Sequence, residues 1–243
     1  MGTNQGPTVL YLLFVMLTLE LQKRDNVLTV YRPLEPNKEF IAKKVRKESD
    51  ELEILRFLDT IKPKSRHIIS LVDSFDECII LPKLVTIENY VTTLSTKLGR
   101  KVVQVCSGLI DGLECLHRHG IAHRDIKPDN LVVDREFCLK IIDFDIAMRV
   151  EDEDEEVDDQ CGTEGWMAPE VAKKLRHSPI KADRWACGWV ILNLLDAYRK
   201  WDESLVTFAR RLCNDKSEQR PPLMPVDNMA PPHSDIGSVQ AAN

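Results

Sequence analysis

The first third of the chain contains short runs in which apolar and polar residues alternate, a pattern typical of half-buried strands. Four such runs predict strands: Val27–Tyr31, Glu39–Val45, His67–Phe75 and Cys78–Leu84. A Pro-containing turn at residues 33–36 separates the first two. Between the second and third, Ser49–Leu58 has apolar residues at helical spacing, and Ser49 is the predicted N-cap. The residues up to 84 are therefore predicted to form a small, mostly β unit that holds one helix.

From Leu98 onwards the apolar residues recur at helical spacing, which predicts a long helix that ends at Gly120. Two short strands and two further helices are predicted after it, at Asn130–Val133, Leu139–Ile142, Ala182–Leu195 and Leu205–Leu212. From Pro221 the chain is rich in Pro, Ser, Asn and Ala, a composition that predicts disorder.

These patterns predict an α+β fold and divide the chain into four parts. The parts are an apolar N-terminal segment, a mostly β unit, a mainly helical unit and a Pro-rich tail: residues 1–24, 25–84, 85–221 and 222–243. With 43% hydrophobic and 30% charged residues, the chain can bury a core, which excludes a disordered or fibrous class.

Net charge and cysteine content limit which partners the protein can bind and which cellular compartment it can occupy. The formal net charge of −6 gives no general attraction to nucleic acid or to an anionic membrane. The seven cysteines are scattered without metal-ligand spacing, which indicates reduced thiols. We therefore expect an intracellular protein, cytoplasmic or nuclear, that does not bind nucleic acid.

The apolar run Thr8–Leu19 admits several interpretations. It ends at Glu20, well short of the roughly 20 residues that a membrane-spanning helix needs. A signal peptide requires Lys or Arg before its apolar run, and none precedes this one. Gly6 stands where a myristoylation site has Ser or Thr. We interpret the run as a strand or helix packed on the domain, or as a segment foreign to it, with membrane association as the minor alternative.

The sequence His123-Arg124-Asp125-Ile126-Lys127-Pro128-Asp129-Asn130 carries most of the candidate chemistry, together with Asp143-Phe144 after the next apolar run. Phosphoryl transfer needs a carboxylate that orients the attacking hydroxyl, a cation on the transferred group, and oxygen ligands for a metal ion. An Asp, a Lys and an Asn can converge from one such loop, and a second carboxylate from a neighbouring strand completes the set. The alternative is that residues 123–130 form an ordinary polar turn, since Asp, Asn and Pro are common turn residues. That interpretation requires eight residues and a correctly ordered Asp143 to match this chemistry by chance.

These motifs resemble those of the eukaryotic protein kinase family. The resemblance continues in a segment ending in Ala168-Pro169-Glu170, in Asp183-Arg184-Trp185 with Gly188, and in Arg220 as the partner of Glu170. It covers about residues 27–221, and it implies a two-lobed fold with a short, divergent, mostly β N-lobe and a larger helical C-lobe.

The resemblance implies catalytic and metal-binding roles for the residues that match. Asp125 would be the catalytic base, and Lys127 would stabilise the γ-phosphate, as in the serine/threonine branch of the family. Asn130 and Asp143 would hold Mg²⁺. The cofactors implied are therefore ATP and Mg²⁺, and the implied partner is a protein or peptide substrate.

The same resemblance implies a nucleotide site. Residues 79–84 resemble the last N-lobe strand and the hinge, with Leu81 as gatekeeper and Leu84 offering backbone hydrogen bonds to the base. Val132 would lie under the adenine.

Residues 40–45 resemble the strand that carries the phosphate-binding lysine. Lys43 is the preferred candidate, Lys44 follows from a register shift of one residue, and an ordinary edge-strand solubility role remains open. Glu51 would be the partner of that lysine, although only seven residues lie between Lys43 and Glu51. A solvated carboxylate in the first turn of a helix is the alternative for Glu51.

Two departures from the family pattern change the expectations. No GxGxxG motif precedes Lys43, so the backbone-amide lid over the phosphates is absent or built differently. Asp145 stands in place of the glycine of the DFG motif, which we interpret as a restriction on flipping of that segment.

Residues 151–156 and 158–159 place eight carboxylates in the predicted activation segment, and no Ser, Thr or Tyr lies between Asp143 and Gln160. A solvated, self-repelling loop is the ordinary interpretation. The alternative is that one or two of the eight carboxylates, with Glu155 and Glu156 as the named candidates, fold onto Arg124 and replace an activating phosphate, with a preference for basic peptides.

Two functions from different classes remain at this point. The first is an ATP-dependent serine/threonine protein kinase, favoured by the complete catalytic loop. The second is a catalytically weak or inactive pseudokinase that acts as a binding or scaffold module, favoured by the missing glycine motif and the short C-lobe. Transfer to a small molecule is disfavoured by the segment at 161–170, which resembles a peptide-docking segment.

Overall fold

The computed structural model describes residues 27–32 and 35–224. The apolar run at 8–19, the start of the turn predicted at 33–36 and the tail from residue 225 lie outside the described residues. Within the described residues, no helix is both long enough and apolar enough to cross a membrane.

The N-lobe is built on a four-stranded antiparallel sheet. Its strands are β1 (Val27–Arg32), β2 (Glu35–Lys44), β3 (Asp73–Phe75) and β4 (Cys78–Pro82), in the spatial order β1-β2-β4-β3. The register pairs Ile41 with Leu81 and Lys43 with Ile79, so these four residues face the same side of the sheet. Helix α1 (Glu51–Thr60) lies on that side, because Glu51 contacts Lys43.

Two predictions about the N-lobe elements were wrong in detail. Helix α1 begins at Glu51 with Asp50 as N-cap, whereas Ser49 contributes a hydroxyl that accepts from the Glu51 amide at 3.2 Å. The strand predicted from His67 begins only at Asp73. The reason is that this stretch pairs with the other lobe, where the Ile141 amide donates to the His67 carbonyl and the Ile69 amide donates to the Ile141 carbonyl.

The C-lobe is mainly helical. Its described helices are α2 (Ile87–Thr92), α3 (Thr96–Arg118), α4 (Pro169–Ala172), α5 (Pro179–Ala197) and α6 (Glu203–Leu212). Short strands lie near the junction of the lobes: β5 (Val85–Thr86), β6 (Ile121–Ala122), β7 (Leu131–Val133), β8 (Leu139–Ile141) and β9 (Met148–Arg149). The predicted two-lobed α+β fold is therefore confirmed.

One continuous hydrophobic core joins α1, α3, α5 and α6 to the inner side of the N-lobe sheet. The apolar face predicted for α3 is buried, including the thiols of Cys106 and Cys115. Helices α5 and α6 approach closely at Gly188, where an added Cβ would lie 2.6 Å from the Ala209 carbonyl oxygen. This close packing supports helix α5, which contacts the loop at 123–130 through Asp183.

Candidate active site

Helix α5 fixes the candidate catalytic loop from below. The buried Asp183 carboxylate accepts hydrogen bonds from the backbone amides of His123 at 2.6 Å and Arg124 at 2.8 Å. Arg124 has a φ of 69°, in the left-handed region that non-glycine residues rarely adopt. Hydrogen bonds from two consecutive amides to a buried carboxylate offset the cost of that conformation.

The functional groups of the loop converge on the carboxylate of Asp125. Asn130 Nδ2 donates to Asp125 Oδ2 at 2.9 Å, and Lys127 Nζ lies 2.8 Å from the same oxygen. The hydroxyl of Thr163 donates to Asp125 Oδ1 at 2.7 Å and accepts from Lys127 Nζ at 2.6 Å. The structure thus brings Asp125, Lys127 and Asn130 together, as the sequence predicted.

Thr163 was not among the predicted site residues. The sequence contained a signal, because Thr163 is the first hydroxyl-bearing residue after the acidic run and lies in the motif that ends at Glu170. Its contact with the loop spans 38 residues of sequence, so this signal marks the residue but not its partner.

A second cluster lies between the lobes, on Lys43. Its Nζ is 2.9 and 2.7 Å from the two carboxylate oxygens of Glu51, and 2.6 Å from Asp143 Oδ1. Glu51 is fully buried and also accepts from the Phe144 amide at 3.2 Å. Lys44 points elsewhere, with its Nζ 3.8 Å from the exposed carboxylate of Glu77.

The electrostatics of this cluster favour a charged lysine. Burial alone would lower the pKa of Lys43, but the carboxylates of Glu51 and Asp143 outweigh it and raise the pKa above its ordinary value. Lys43 therefore stays an ammonium group, able to bind an anion across the physiological pH range.

The segment that begins at Asp143 has unusual backbone and side-chain features. Asp143 has a φ of 66°, whereas Asp145, in the place of the DFG glycine, does not lie in the left-handed region. Asp145 instead forms an ion pair with Arg46, at 2.5 Å between Nη2 and Oδ2, which ties the segment to the loop before α1. Phe144 is buried, and its ring packs edge-on against His123 with centroids 5.1 Å apart.

A cavity of about 280 Å³ is lined both by the N-lobe sheet and by the charged groups around Lys43. Its apolar wall consists of residues from the N-lobe sheet, the hinge and β7: Val27, Ile41, Leu81, Leu84 and Val132. Its polar end contains Lys43, Glu51, Asn130 and Asp143. All seven predicted nucleotide- and metal-binding residues therefore line one cavity, next to Asp125 and Lys127. Its size is close to the lower end for small-molecule sites, about 300 Å³.

The acidic segment, residues 151–159, is anchored at several points. Asp159 pairs with the mostly buried Arg124, Glu153 with the buried Arg184, and Asp154 with Lys181 at 2.5 Å. A carboxylate of the acidic run thus contacts Arg124, as predicted, but the named candidates were wrong: Glu155 accepts from the Glu151 amide, and Glu156 lies 3.1 Å from Arg176.

The register of the segment explains this outcome. Val157 and His177 exchange two backbone hydrogen bonds of 2.9 Å. This pairing holds the segment before Val157 beside α5 and leaves Asp159 as the carboxylate within reach of Arg124.

Glu170 and Arg220 form the pair that the resemblance implied. The guanidinium makes two hydrogen bonds to the carboxylate, of 2.6 and 2.8 Å, and it is buried. A bidentate, buried pair of this kind joins the end of the activation segment to the end of the described C-lobe.

The arrangement has the chemical groups that phosphoryl transfer needs. One cavity has an apolar wall for a planar base and a polar end with an ammonium group and oxygen ligands. The Asp125 carboxylate lies beside it, bonded to Asn130, and the Lys127 ammonium group lies 2.8 Å from that carboxylate. No cluster of three or more His, Cys, Asp or Glu suited to a metal ion occurs in the described part of the chain. Mg²⁺ in such sites is usually bound by one or two carboxylates together with the phosphates of the substrate.

Comparison with known proteins gives one family and several relatives. Residues 26–236 match the model of the protein kinase domain. Serine/threonine-protein kinase grp of Drosophila melanogaster is 36% identical over 127 residues, which cover 50% of this chain and 25% of that protein. CBL-interacting serine/threonine-protein kinase 5 of Arabidopsis thaliana is 39% identical over 107 residues, covering 43% of this chain and 24% of that protein.

A longer match extends over both lobes. Mitogen-activated protein kinase kinase kinase 3 of Arabidopsis thaliana is 29% identical over 197 residues, which cover 79% of this chain and 30% of that protein. The matched part of the chain thus spans between about a quarter and three tenths of the length of these relatives.

Proposed function

This chain belongs to the eukaryotic protein kinase family, and we propose that it is an ATP-dependent serine/threonine kinase that transfers the γ-phosphate to a protein hydroxyl. One observation carries the proposal: the cavity that could take an adenine base ends at Lys43, Asn130 and Asp143, beside the Asp125 carboxylate and the Lys127 ammonium group. A binding module without catalysis has no physical need for this combination.

The residues of the cavity fit ATP and Mg²⁺. Leu81, Leu84 and Val132 would enclose the base, and Lys43 would bind a phosphate. The amide nitrogen of Asn130 is bonded to Asp125, so its carbonyl oxygen is the atom that would coordinate Mg²⁺ together with Asp143. Bound Mg²⁺ would supply charge neutralisation on the phosphates.

Asp125 would act on the acceptor. Asn130 and Thr163 hold its carboxylate from two sides, so it would be oriented before a substrate arrives. It would accept the proton of a Ser or Thr hydroxyl as that oxygen attacks phosphorus, while Lys127 would balance the charge on the transferred group.

The acceptor would be a protein or peptide with basic residues. Glu151, Asp152, Asp158 and Asp159 are exposed, and Asp159 pairs with Arg124 in the loop at 123–130. Exposed carboxylates attract basic peptides and repel acidic ones. We further propose an intracellular location, cytoplasmic or nuclear, because all seven cysteines are present as free thiols without metal-ligand spacing.

A second candidate function is a non-catalytic nucleotide-binding or scaffold module. It is favoured by one observation, that no glycine precedes Gly99 in the described residues and only Val27 of β1 lines the cavity. Backbone donors to the phosphates are then few, and nucleotide affinity is expected to be weak.

Titration with ATP at increasing Mg²⁺, using Asp143→Asn as the matched variant, separates the two candidates. We expect the full chain to bind ATP in a Mg²⁺-dependent manner and to transfer phosphate to a basic Ser/Thr peptide, with both properties lost in Asp143→Asn. Mg²⁺-dependent binding without any transfer would favour the scaffold module. Absence of ATP binding at millimolar concentration would contradict the kinase and leave a scaffold module that does not bind nucleotide.

A further inference from the structure

The N-lobe sheet has a second apolar face, on the side away from Lys43. The register places Leu28, Val30, Phe40, Ala42, Phe75, Cys78 and Ile80 on this side, because each pairs with or alternates with a residue that faces the cleft. With Val72 they form a separate hydrophobic cluster. We refer to this cluster as the outer face.

The outer face is covered in the folded chain. Phe40 is 6% exposed, Ala42 0%, and Cys78 and Ile80 are each 5% exposed. Side chains on one face of a single sheet cannot bury one another to this extent, because burial of a sheet face requires a second layer packed about 10 Å away.

The described residues do not supply that layer. Helix α1 lies on the cleft side, where Ile54, Leu55 and Leu58 belong to the main core together with Ile79 and Leu81. Within residues 27–32 and 35–224, the apolar members of the outer-face cluster come only from the sheet strands and from Val72 beside β3.

We propose that residues 8–19 pack on the outer face as an additional layer of the kinase domain. The run is apolar along its whole length, with Val, Leu, Tyr, Phe and Met at all positions except Thr8 and Thr18. This inference is independent of the proposed catalytic function, since it concerns the opposite side of the sheet.

Length and connection fit this placement. Seven residues, 20–26, join the run to Val27 at the start of β1, and seven extended residues reach about 24 Å. A helix of twelve residues is about 18 Å long, and four strands spaced about 4.8 Å apart are about 14 Å wide. The run therefore has the length to cross all four strands.

The Pro-rich tail is a poorer occupant. It leaves the C-lobe after Leu223, which is buried in the main core. Residues 225–243 contain three prolines and no continuous apolar run. An apolar sheet face is covered by apolar side chains, and residues 8–19 are the segment outside the described residues that has them.

Cys78, the first residue of β4, provides a reporter on the outer face. Burial raises the pKa of its thiol to about 11, which leaves little thiolate to react at neutral pH. The thiol of Cys106, buried in α3, has a pKa raised by burial to about 12 and serves as an internal control.

The experiment is pulsed alkylation of the native full chain with N-ethylmaleimide, followed by mass spectrometry of each cysteine peptide. We expect Cys78 to react slowly in the full chain and at least about tenfold faster after deletion of residues 1–20, while Cys106 stays slow in both. Deletion of residues 225–243, the matched control, should leave Cys78 slow.

Equal Cys78 rates before and after the N-terminal deletion, or fast labelling after the tail deletion, would overturn the proposal. So would recruitment of the full chain to phosphatidylcholine–phosphatidylserine vesicles through residues 8–19 with no change at Cys78, which would indicate a membrane anchor.

A second measurement covers the case in which the deletion variant unfolds, which fast labelling of Cys106 would reveal. Leu12→Cys, Leu13→Cys and Phe14→Cys, each in the full chain, point in different directions around a helix. A short bis-maleimide should join at least one of them to Cys78, and Cys78→Ser should abolish that product. Failure of all three to cross-link would contradict the proposal.

Discussion

At the scale of single residues, the candidate site consists of charged groups whose positions are fixed by several partners each. Asp125 has Asn130, Lys127 and Thr163 around its two carboxylate oxygens. The ammonium group of Lys43 pairs with the carboxylates of Glu51 and Asp143. Groups held in this way lose little conformational entropy when a substrate binds, which is the condition for efficient positioning.

Asp125→Ala is expected to reduce the phosphate-transfer rate by about 10²-fold or more, because the acceptor hydroxyl loses its orienting base. Nucleotide affinity should be nearly unchanged, since Asp125 lies outside the cavity lining. Transfer to a peptide and the Kd for ATP are the two measurements. Asp129→Ala, an exposed aspartate in the same loop, is the control and should keep the wild-type rate. A near-normal rate in Asp125→Ala would contradict the proposed mechanism.

Lys43→Met is expected to lower kcat/KM for ATP by about 10- to 100-fold, the equivalent of one charged hydrogen bond to a phosphate. Lys44→Met should have little effect, because Lys44 faces away from the cavity toward Glu77. Steady-state kinetics of the two variants at equal Mg²⁺ give the comparison. The opposite ranking of the two variants would assign the phosphate-binding role to Lys44.

At the scale of elements, the acidic segment is anchored rather than free. Its carboxylates pair with Arg124 in the catalytic loop and with Lys181 and Arg184 in α5. The Val157–His177 backbone pairing adds a short antiparallel bridge. An activation segment that contains no Ser, Thr or Tyr from residue 144 to 159 can thus be ordered by its own carboxylates.

Asp159→Asn is expected to reduce peptide phosphorylation about twofold to fivefold, because Arg124 loses its ionic partner. The effect is limited by solvent screening, since the Asp159 side chain is 54% exposed and such pairs contribute about 1 kcal/mol or less. Asp158→Asn removes the same charge from the adjacent residue and should leave the rate nearly unchanged.

Activity of both variants should be measured at low and at moderate salt. The difference between them should shrink as salt weakens the Arg124–Asp159 pair. Identical rates for Asp159→Asn and wild type at low salt would mean that the segment does not depend on this contact.

At the scale of the whole molecule, the Glu170–Arg220 pair connects parts of the C-lobe that are 50 residues apart in sequence. Burial alone would raise the pKa of Glu170, but hydrogen bonds from Arg220 outweigh it and lower the pKa below its ordinary value of 4.5. A carboxylate with a lowered pKa in the folded chain stabilises the fold above pH 4.5, and this contribution is lost as pH falls through the folded-state pKa.

The fold is therefore expected to lose stability as pH falls below about 4.5, with part of the loss due to Glu170. Glu170→Gln should be less stable than wild type at neutral pH but should lose less stability over this range. Urea unfolding at several pH values gives both quantities. Parallel pH profiles for the two proteins would show that Glu170 is not a source of the acid sensitivity.

Local signals in the sequence were sufficient for the fold class and for most of the candidate site. Helix α3 follows from its apolar spacing, and Asp125, Lys127 and Asn130 lie within six residues, so the loop that carries them also brings them together. The wrong boundary at His67 has a physical cause. That stretch has the composition of a strand, but its backbone partner is Ile141 in the other lobe.

The sequence by itself determined most helices and strands, because short-range spacing governs them. Its motifs determined the family and the residue types of the site, and the resemblance to that family implied the two lobes. Only the tertiary structure decided between Lys43 and Lys44, assigned Asp159 rather than Glu155 or Glu156 to Arg124, and placed Thr163 beside Asp125. These contacts join residues 35 to 100 positions apart. Such pairs depend on strand register and on how the lobes and segments pack, which neighbouring residues in the sequence do not determine.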